Sequence, residues 1–255
     1  MISKAKISFI KSLHSGKGRN EAGLFIAEGT KITNELLINQ NIKIQSLYAT
    51  NDFLEENNLL SNNNFEVFEI SESELQKISL LSNPNKVLVI AEICKNKFDV
   101  SKLKNKLTIV LDNVQDPGNL GTIIRTMDWF GIKNLVCSET TVDVYNPKVI
   151  QATMGSFLRI KTHYVNLENF IKEYFSKYKY NIYGTLLNGK NIYKEQLTQE
   201  GLIVFGNESK GISSNIENFI TNKISIPDFS KSKSIDSLNI SIAAGIVFSE
   251  FKRTT

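Results

Sequence analysis

Three short segments of the 255-residue sequence place polar side chains directly after apolar runs. The first, LDNVQDPGNLGTIIR, breaks a buried-strand pattern at Asp112 and Asn113 and turns through Asp116, Pro117 and Gly118. It then enters a helix at Asn119, whose amide suits a cap. Arg125 follows nearly two turns later, within reach of an anion or a polar substrate. The second, FGNESKGIS, has Gly206 and Gly211 at its ends, which lets backbone approach a ligand closely, and Glu208 projects between them. The third ends a strand at Pro227, continues as a Ser/Lys-rich loop, and places Ser237 to cap the closing helix. Asn239 falls in the first turn of that helix among Leu238, Ile240 and Ile242, where an amide needs a partner. Taken singly, each segment also fits a plainer role: a capped turn, a tight turn with a solvated carboxylate, an asparagine bonding local backbone.

Other chemistries find little support. Cys94 and Cys137 are far apart, with no CxxC and no flanking histidine, so neither a disulfide framework nor a zinc site is expected. His14 and His163 are the only histidines and suit surface or half-buried roles. GTLLNGKN (Gly184–Asn191) nearly spells a phosphate-binding loop, but Asn191 stands where Ser or Thr would hold magnesium. No clear helix follows Lys190, and the segment reads as strand and turn.

The elements that must position the three segments alternate regularly. From Leu107 on, LTIVLD, NLVCS, RIKTHYV, NIYGTLL, GLIVFG and NKISIP read as strands. Between them, NLGTIIRTMDWFG, NPKVIQATMGS, LENFIKEYFSKY and ISSNIENFI read as helices, and SLNISIAAGIVFSEFKR closes the chain as another. Gly131 is placed to end the first of these. Such alternation predicts a mostly parallel sheet with helices on both faces, with ligands at the carboxyl ends of its strands. Residues 1–95 read as a smaller α/β unit, with strands at GLFIAEG, KIQSLYAT, FEVFEI and KVLVIAEI and an Asn-rich loop, NNLLSNNN. Thr30 is placed to cap its helix TKITNELLINQ, and Ser71 with Glu74 forms a capping-box signature. The polar stretch 96–106 reads as a linker to a second domain, 107–255.

In order and spacing, NVQDPGNLGTIIRT, GNESKG and ISIP…SLNISIA resemble the three motifs of the SpoU (TrmH-like) family of SPOUT RNA methyltransferases. The resemblance covers residues 107 to 253, and GRNEAGLFIAEGTKITNELL is similar to the ribosomal-protein-like substrate-binding domain that precedes this catalytic domain in many members. It implies an α/β fold with a trefoil knot, S-adenosylmethionine held by backbone at Gly206, Ile226 and Leu238, and a homodimer with the closing helix at its interface. The matching functional positions are Asn119, Arg125, Glu208, Ser237 and Asn239. By the same resemblance the reaction is methylation of a ribose 2′-hydroxyl, in rRNA by preference. The same reaction on tRNA, or a catalytically inactive RNA-binding protein, is the alternative.

A sulfonium methyl is already electrophilic, so no metal is expected. Arg125 is the proposed base in the family; an arginine equally stabilises a developing alkoxide or clamps a phosphate. The sequence departs from the family at Ser209, where glycine is usual, and in a longer, glycine-free stretch between Ile226 and Leu238. The net charge of +4 permits a nucleic-acid partner without demanding one. The start MISKAKISFIKSLHS has no continuous apolar run and LNISIAAGIVF is too short to cross a bilayer, so a cytoplasmic protein without a membrane partner is expected.

Overall fold

The computed structural model describes residues 2–59, 64–94, 97–230 and 237–253. Parts of the Asn-rich stretch (60–63), the linker (95–96) and the Ser/Lys-rich loop (231–236) lie outside the described residues. Internal contacts divide the chain into two compact units, Met1–Lys95 with Asp143–Leu158, and Asn96–Val142 with Arg159–Thr255.

The first unit carries helices α1 (Lys4–Ser12), α2 (Gly16–Ala22), α3 (Thr30–Ile38), α4 (Asn51–Glu56) and α5 (Glu72–Ile78). Its strands are β1 (Leu24–Glu28), β2 (Ile44–Ala49), β3 (Glu66–Glu69) and β4 (Val87–Glu92), in the order β1-β4-β2-β3. β4 runs antiparallel to both neighbours, whereas β2 and β3 are parallel. Ile10 and Leu13 from the first helix region and Leu75 and Ile78 from α5 bury against Ile26, Leu88 and Ile90 of the sheet. The capping box of α5 is present: Ser71 Oγ accepts from Glu74 N at 3.3 Å and the Glu74 carboxylate accepts from Ser71 N at 3.1 Å. Thr30 does not cap α3. That helix starts at Thr30 itself, and the cap position is Gly29 at φ +93°, which offers no side chain. Arg19, 3% exposed, holds the segment from Asp143: Nη2 and Nε donate to the Asp143 carboxylate at 2.7 and 3.0 Å. Nη1 donates to the carbonyls of Leu13 and His14, so this buried charge is both paired and hydrogen-bonded.

The second unit is a six-stranded sheet of β5 (Leu107–Leu111), β6 (Asn134–Ser138), β7 (Lys161–Val165), β8 (Ile182–Asn191), β9 (Gly201–Phe205) and β10 (Asn222–Ser225). Its order is β10-β8-β9-β5-β6-β7, and every pairing is parallel. β5, β6 and β9 are buried at every residue, as central parallel strands covered on both sides must be. Helices α6 (Pro117–Trp129) and α10 (Ile240–Arg253) pack on each other, and Phe248 of α10 meets both Phe130 and Phe205 edge-on. α8 (Leu167–Tyr178) and the single turn α9 (Ser214–Glu217) cover Val110, Val136, Leu202 and Val204 on the opposite face. α7 (Pro147–Thr153) belongs to the first unit and packs on β1. Val100 and Leu103, within the polar stretch before β5, form a 3-10 turn and bury in the α8 cluster.

Two expected helix starts shift. α6 is capped by Asp116, whose carboxylate accepts from Asn119 N at 2.7 Å, so Asn119 is a residue of the first turn. α10 begins at Ile240 and is capped by Asn239, two residues beyond the expected Ser237. The end of α6 matches expectation as a Schellman turn: Gly131 N donates to Asp128 O and Ile132 N to Met127 O, with Gly131 at φ +70°. GTLLNGKN lies inside β8, and a Cβ on Gly189 would collide with the Ile224 backbone of β10, which leaves no room for a phosphate cradle.

Candidate functional site

β5 and β9 are neighbours in the sheet, and β10 lies beyond β8, so the loops leaving these strands emerge along one edge. Side chains lock the first two loops together. The Asp112 carboxylate, buried at the end of β5, accepts from Ser213 N at 2.8 Å and Ser213 Oγ at 2.6 Å. Asn113 adopts φ +60°, donates its backbone N–H to Ser138 Oγ, and offers its carbonyl to Asn207 Nδ2 at 2.8 Å. Asn207 Oδ1 in turn accepts from Ser209 N and Lys210 N, each at 3.0 Å, which shapes the turn carrying Glu208. The turn closes where Asn207 and Gly211 exchange backbone hydrogen bonds at 2.9 Å. A Cβ on Gly206 would run into the Gly211 and Ile212 backbone, so the turn requires glycine there. Ser209 is accommodated without a positive φ.

Across this frame three expected residues form one hydrogen-bonded chain. Asn239 Nδ2 donates to Asn119 Oδ1 at 3.0 Å, and Asn119 Nδ2 donates to Glu208 Oε1 at 3.0 Å. Asn239 Oδ1 accepts from Ser241 N at 2.9 Å and from Ser241 Oγ at 2.6 Å, which fixes the direction of the whole chain. With its oxygen committed to the helix start, Asn239 must present its NH2 to Asn119. Asn119 then presents its own NH2 to the carboxylate. The amide of Asn239 therefore finds both a local backbone partner and a partner on α6.

A cavity of about 430 Å³ lies beside the chain. Gly206, Ile226, Leu238, Ser237, Glu208 and Asn239 all line it, together with apolar side chains that include Leu186 and Val247. Its size falls within the range of small-molecule sites, roughly 300–1,000 Å³. Apolar walls and glycine-bounded backbone at strand ends suit a nucleoside-sized ligand held largely by main-chain groups. Arg125 is not among the lining residues. It lies on the exposed side of α6, six residues past Asn119 and so about 120° around the helix. Among the described residues it makes no hydrogen bond or ion pair. Among the described residues, no group of three or more His, Cys, Asp or Glu could hold a metal ion. No helix of the described residues is long and apolar enough to cross a membrane.

Asp112, Asn113 and Asn207 were not singled out by sequence as framework residues. Asn207 carried a signal, because asparagine after a strand-ending glycine commonly builds such a turn. The pairing of Asp112 with Ser213 spans a hundred residues and leaves no local trace.

Residues 106–249 match the SpoU rRNA Methylase family model, and residues 4–89 match the MRM3-like substrate binding domain. The 23S rRNA (guanosine(2553)-2′-O)-methyltransferase RlmP of Bacillus subtilis is 25% identical over 95% of this chain and 94% of its own. A solved structure from Porphyromonas gingivalis, assigned to the TrmH family of RNA methyltransferases, superposes with TM-score 0.88 at 33% identity over the whole of both chains. The AdoMet-bound rRNA methyltransferase of Sinorhizobium meliloti gives TM-score 0.85 at 27% identity, covering 100% of this chain and 97% of that one. With the family model matching more than half its length on top of this geometry, the chain belongs to the SpoU rRNA methylase family.

Proposed function

We propose that this chain transfers a methyl group from S-adenosylmethionine to a ribose 2′-hydroxyl of structured RNA, ribosomal RNA in preference to transfer RNA. The observation that carries the reading is the Asn239–Asn119–Glu208 chain beside a cavity that Gly206, Ile226 and Leu238 line. Family membership supports it, as do relatives named as 23S rRNA 2′-O-methyltransferases in Bacillus subtilis and Neisseria meningitidis. When bound, S-adenosylmethionine supplies an already electrophilic methyl group. The protein's task is to hold the hydroxyl in line and ease the loss of its proton.

Backbone at Gly206, Ile226 and Leu238 would hold the cofactor. Asn119, Ser237 and Asn239 orient the ribose, and Glu208 fixes the amide of Asn119. Arg125, a fixed cation on the helix that carries Asn119, stabilises the developing alkoxide or clamps the neighbouring phosphate. The reading includes the family's trefoil knot around the cavity and a homodimer through α10. Leu238 and Ile242 beside and on that helix are 48% and 57% exposed, which suits an apolar contact. It also gives residues 1–95 the task of gripping RNA, and a 2′-hydroxyl target explains selection of RNA over DNA.

Incubation with methyl-labelled S-adenosylmethionine and purified rRNA or tRNA tests this. Label should enter rRNA and survive alkali as a hydrolysis-resistant dinucleotide. Arg125→Ala should lower kcat/KM about 100-fold or more, a larger loss than its loss of RNA affinity. Label found on a base, or a calorimetric titration without cofactor uptake, would overturn the proposal.

A further inference from the structure

We infer that the outer face of α6 carries a second RNA contact, in which Trp129 is a stacking platform for an unpaired base and the neighbouring Arg125, Lys133 and Arg159 hold the flanking phosphates. The inference rests on the RNA methyltransferase reading above and names a part of the substrate that reading leaves unassigned.

Trp129 is the only tryptophan of the chain and is 87% exposed. Among the described residues it makes no ring or cation–π contact. A single exposed apolar side chain is ordinary. What surrounds this one is not. Arg125, one turn earlier on the same exposed stripe, brings an unpartnered guanidinium within about 6 Å at Cβ. The Schellman turn at Gly131 reverses the chain just past the indole and delivers Lys133 beside it. Lys133 Nζ donates to Asp128 at 2.8 Å, and Arg159 Nε donates to the same carboxylate at 2.7 Å. Three cations thus lie near this end of α6, two of them on one carboxylate that is only 14% exposed.

This composition fits nucleic acid better than protein. The cores of protein interfaces are depleted in charge. An aromatic face set among Lys and Arg is the arrangement that binds single-stranded nucleic acid, stacking on the base and pairing with the phosphates. The pairing of Lys133 and Arg159 with Asp128 restrains two of the long side chains, so less freedom is lost when phosphates arrive. Asn119 and Trp129 lie on one helix about 15 Å apart, ten residues at 1.5 Å each. A strand whose target ribose sits at Asn119 can therefore lay a nearby base on Trp129 and pass its phosphates over Arg125.

Because Trp129 is the sole tryptophan, its emission reports this contact alone. A short oligouridine titrated into the full-length protein should quench that emission, and added salt should reverse the quenching. Trp129→Ala should weaken oligouridine binding about tenfold, as loss of one stacked base predicts, and Trp129→Phe should retain most of the affinity. Lys133→Gln should weaken binding and flatten its salt dependence, with S-adenosylmethionine affinity by calorimetry unchanged in all three variants. The proposal is overturned if saturating oligouridine leaves the emission unchanged, or if Trp129→Ala binds RNA like the wild type. It is equally overturned if Trp129→Ala turns a dimer into monomers in the ultracentrifuge without changing RNA affinity, since the indole then contacts a second copy. A wild type that quenches with RNA yet takes up no S-adenosylmethionine would sink the methyltransferase reading and leave this surface standing.

Discussion

Asn119 is the residue on which the site turns, because it alone touches both other members of the polar chain. Its oxygen accepts from Asn239 and its NH2 donates to Glu208, each at 3.0 Å. Asn119→Ala removes both partners at once. Glu208 and Asn239 are exposed, so water takes the lost place and each bond is worth about 0.5–1.5 kcal/mol, roughly 2- to 13-fold in kcat/KM if the chain positions the ribose. Asn119→Asp is the sharper experiment. The new carboxylate still accepts from Asn239 but faces Glu208 with a second negative charge, and like charges at this spacing favour uptake of one shared proton. Activity of this variant should therefore recover as pH falls, while Asn119→Ala shows no such recovery. Parallel pH profiles for the two variants would refute a positioning role for the chain.

At the scale of elements, α6 is held at both ends by devices of different origin. Its start depends on Asp116, and Asp116→Ala should cost about 1 kcal/mol. Its end depends on Gly131 at φ +70°, where an added Cβ would meet nothing within 4 Å. Gly131→Ala should therefore cost about 1 kcal/mol through backbone conformation alone, read as a shift in the urea midpoint without a change in slope. A much larger loss would mean that the turn carries packing absent from this structure. The glycine was legible in the sequence because helix ends favour glycine for a local reason. The start was misplaced by three residues, because Asp116 and Asn119 are both good caps and only the Pro117 turn decides between them. The same ambiguity displaced the start of α10 from Ser237 to Asn239. Strand order and the Asp112–Ser213 tie had no local signature at all, since each depends on how distant strands are laid side by side. The three motifs were legible because their residue types and order resemble a known family, not because periodicity could reveal the hydrogen bonds between them.

At the scale of the whole molecule, the two histidines of the chain fall one in each unit, and both are half-buried. Burial pushes His14 below its ordinary value of 6.5. Its hydrogen bond to the Ile78 carbonyl, at 3.1 Å, opposes that shift in part, and the charges of Lys11 and Arg19 add to it. Burial likewise lowers His163, whose ring lies 5.0 Å from that of Phe98, and Lys102 and Lys161 push it the same way. A histidine with a depressed native pKa binds its proton more weakly when folded than when unfolded. Its contribution is thus fully present above about pH 6.5 and is lost as pH falls from there through the native value. Carboxylates act in a separate window. Glu74, lowered by hydrogen bonds from the Ser71 and Ile2 backbone, loses its contribution only below its ordinary 4.5. Acidification from about pH 7.5 to 5.5 therefore isolates the histidines. Both units should melt earlier at the lower pH, followed through amide exchange around His163 for the second unit and around Ile78 for the first. His14→Gln should flatten the dependence of the first unit and His163→Gln that of the second. If His14→Gln leaves the pH response around Ile78 unchanged, the ring is not the group that titrates there.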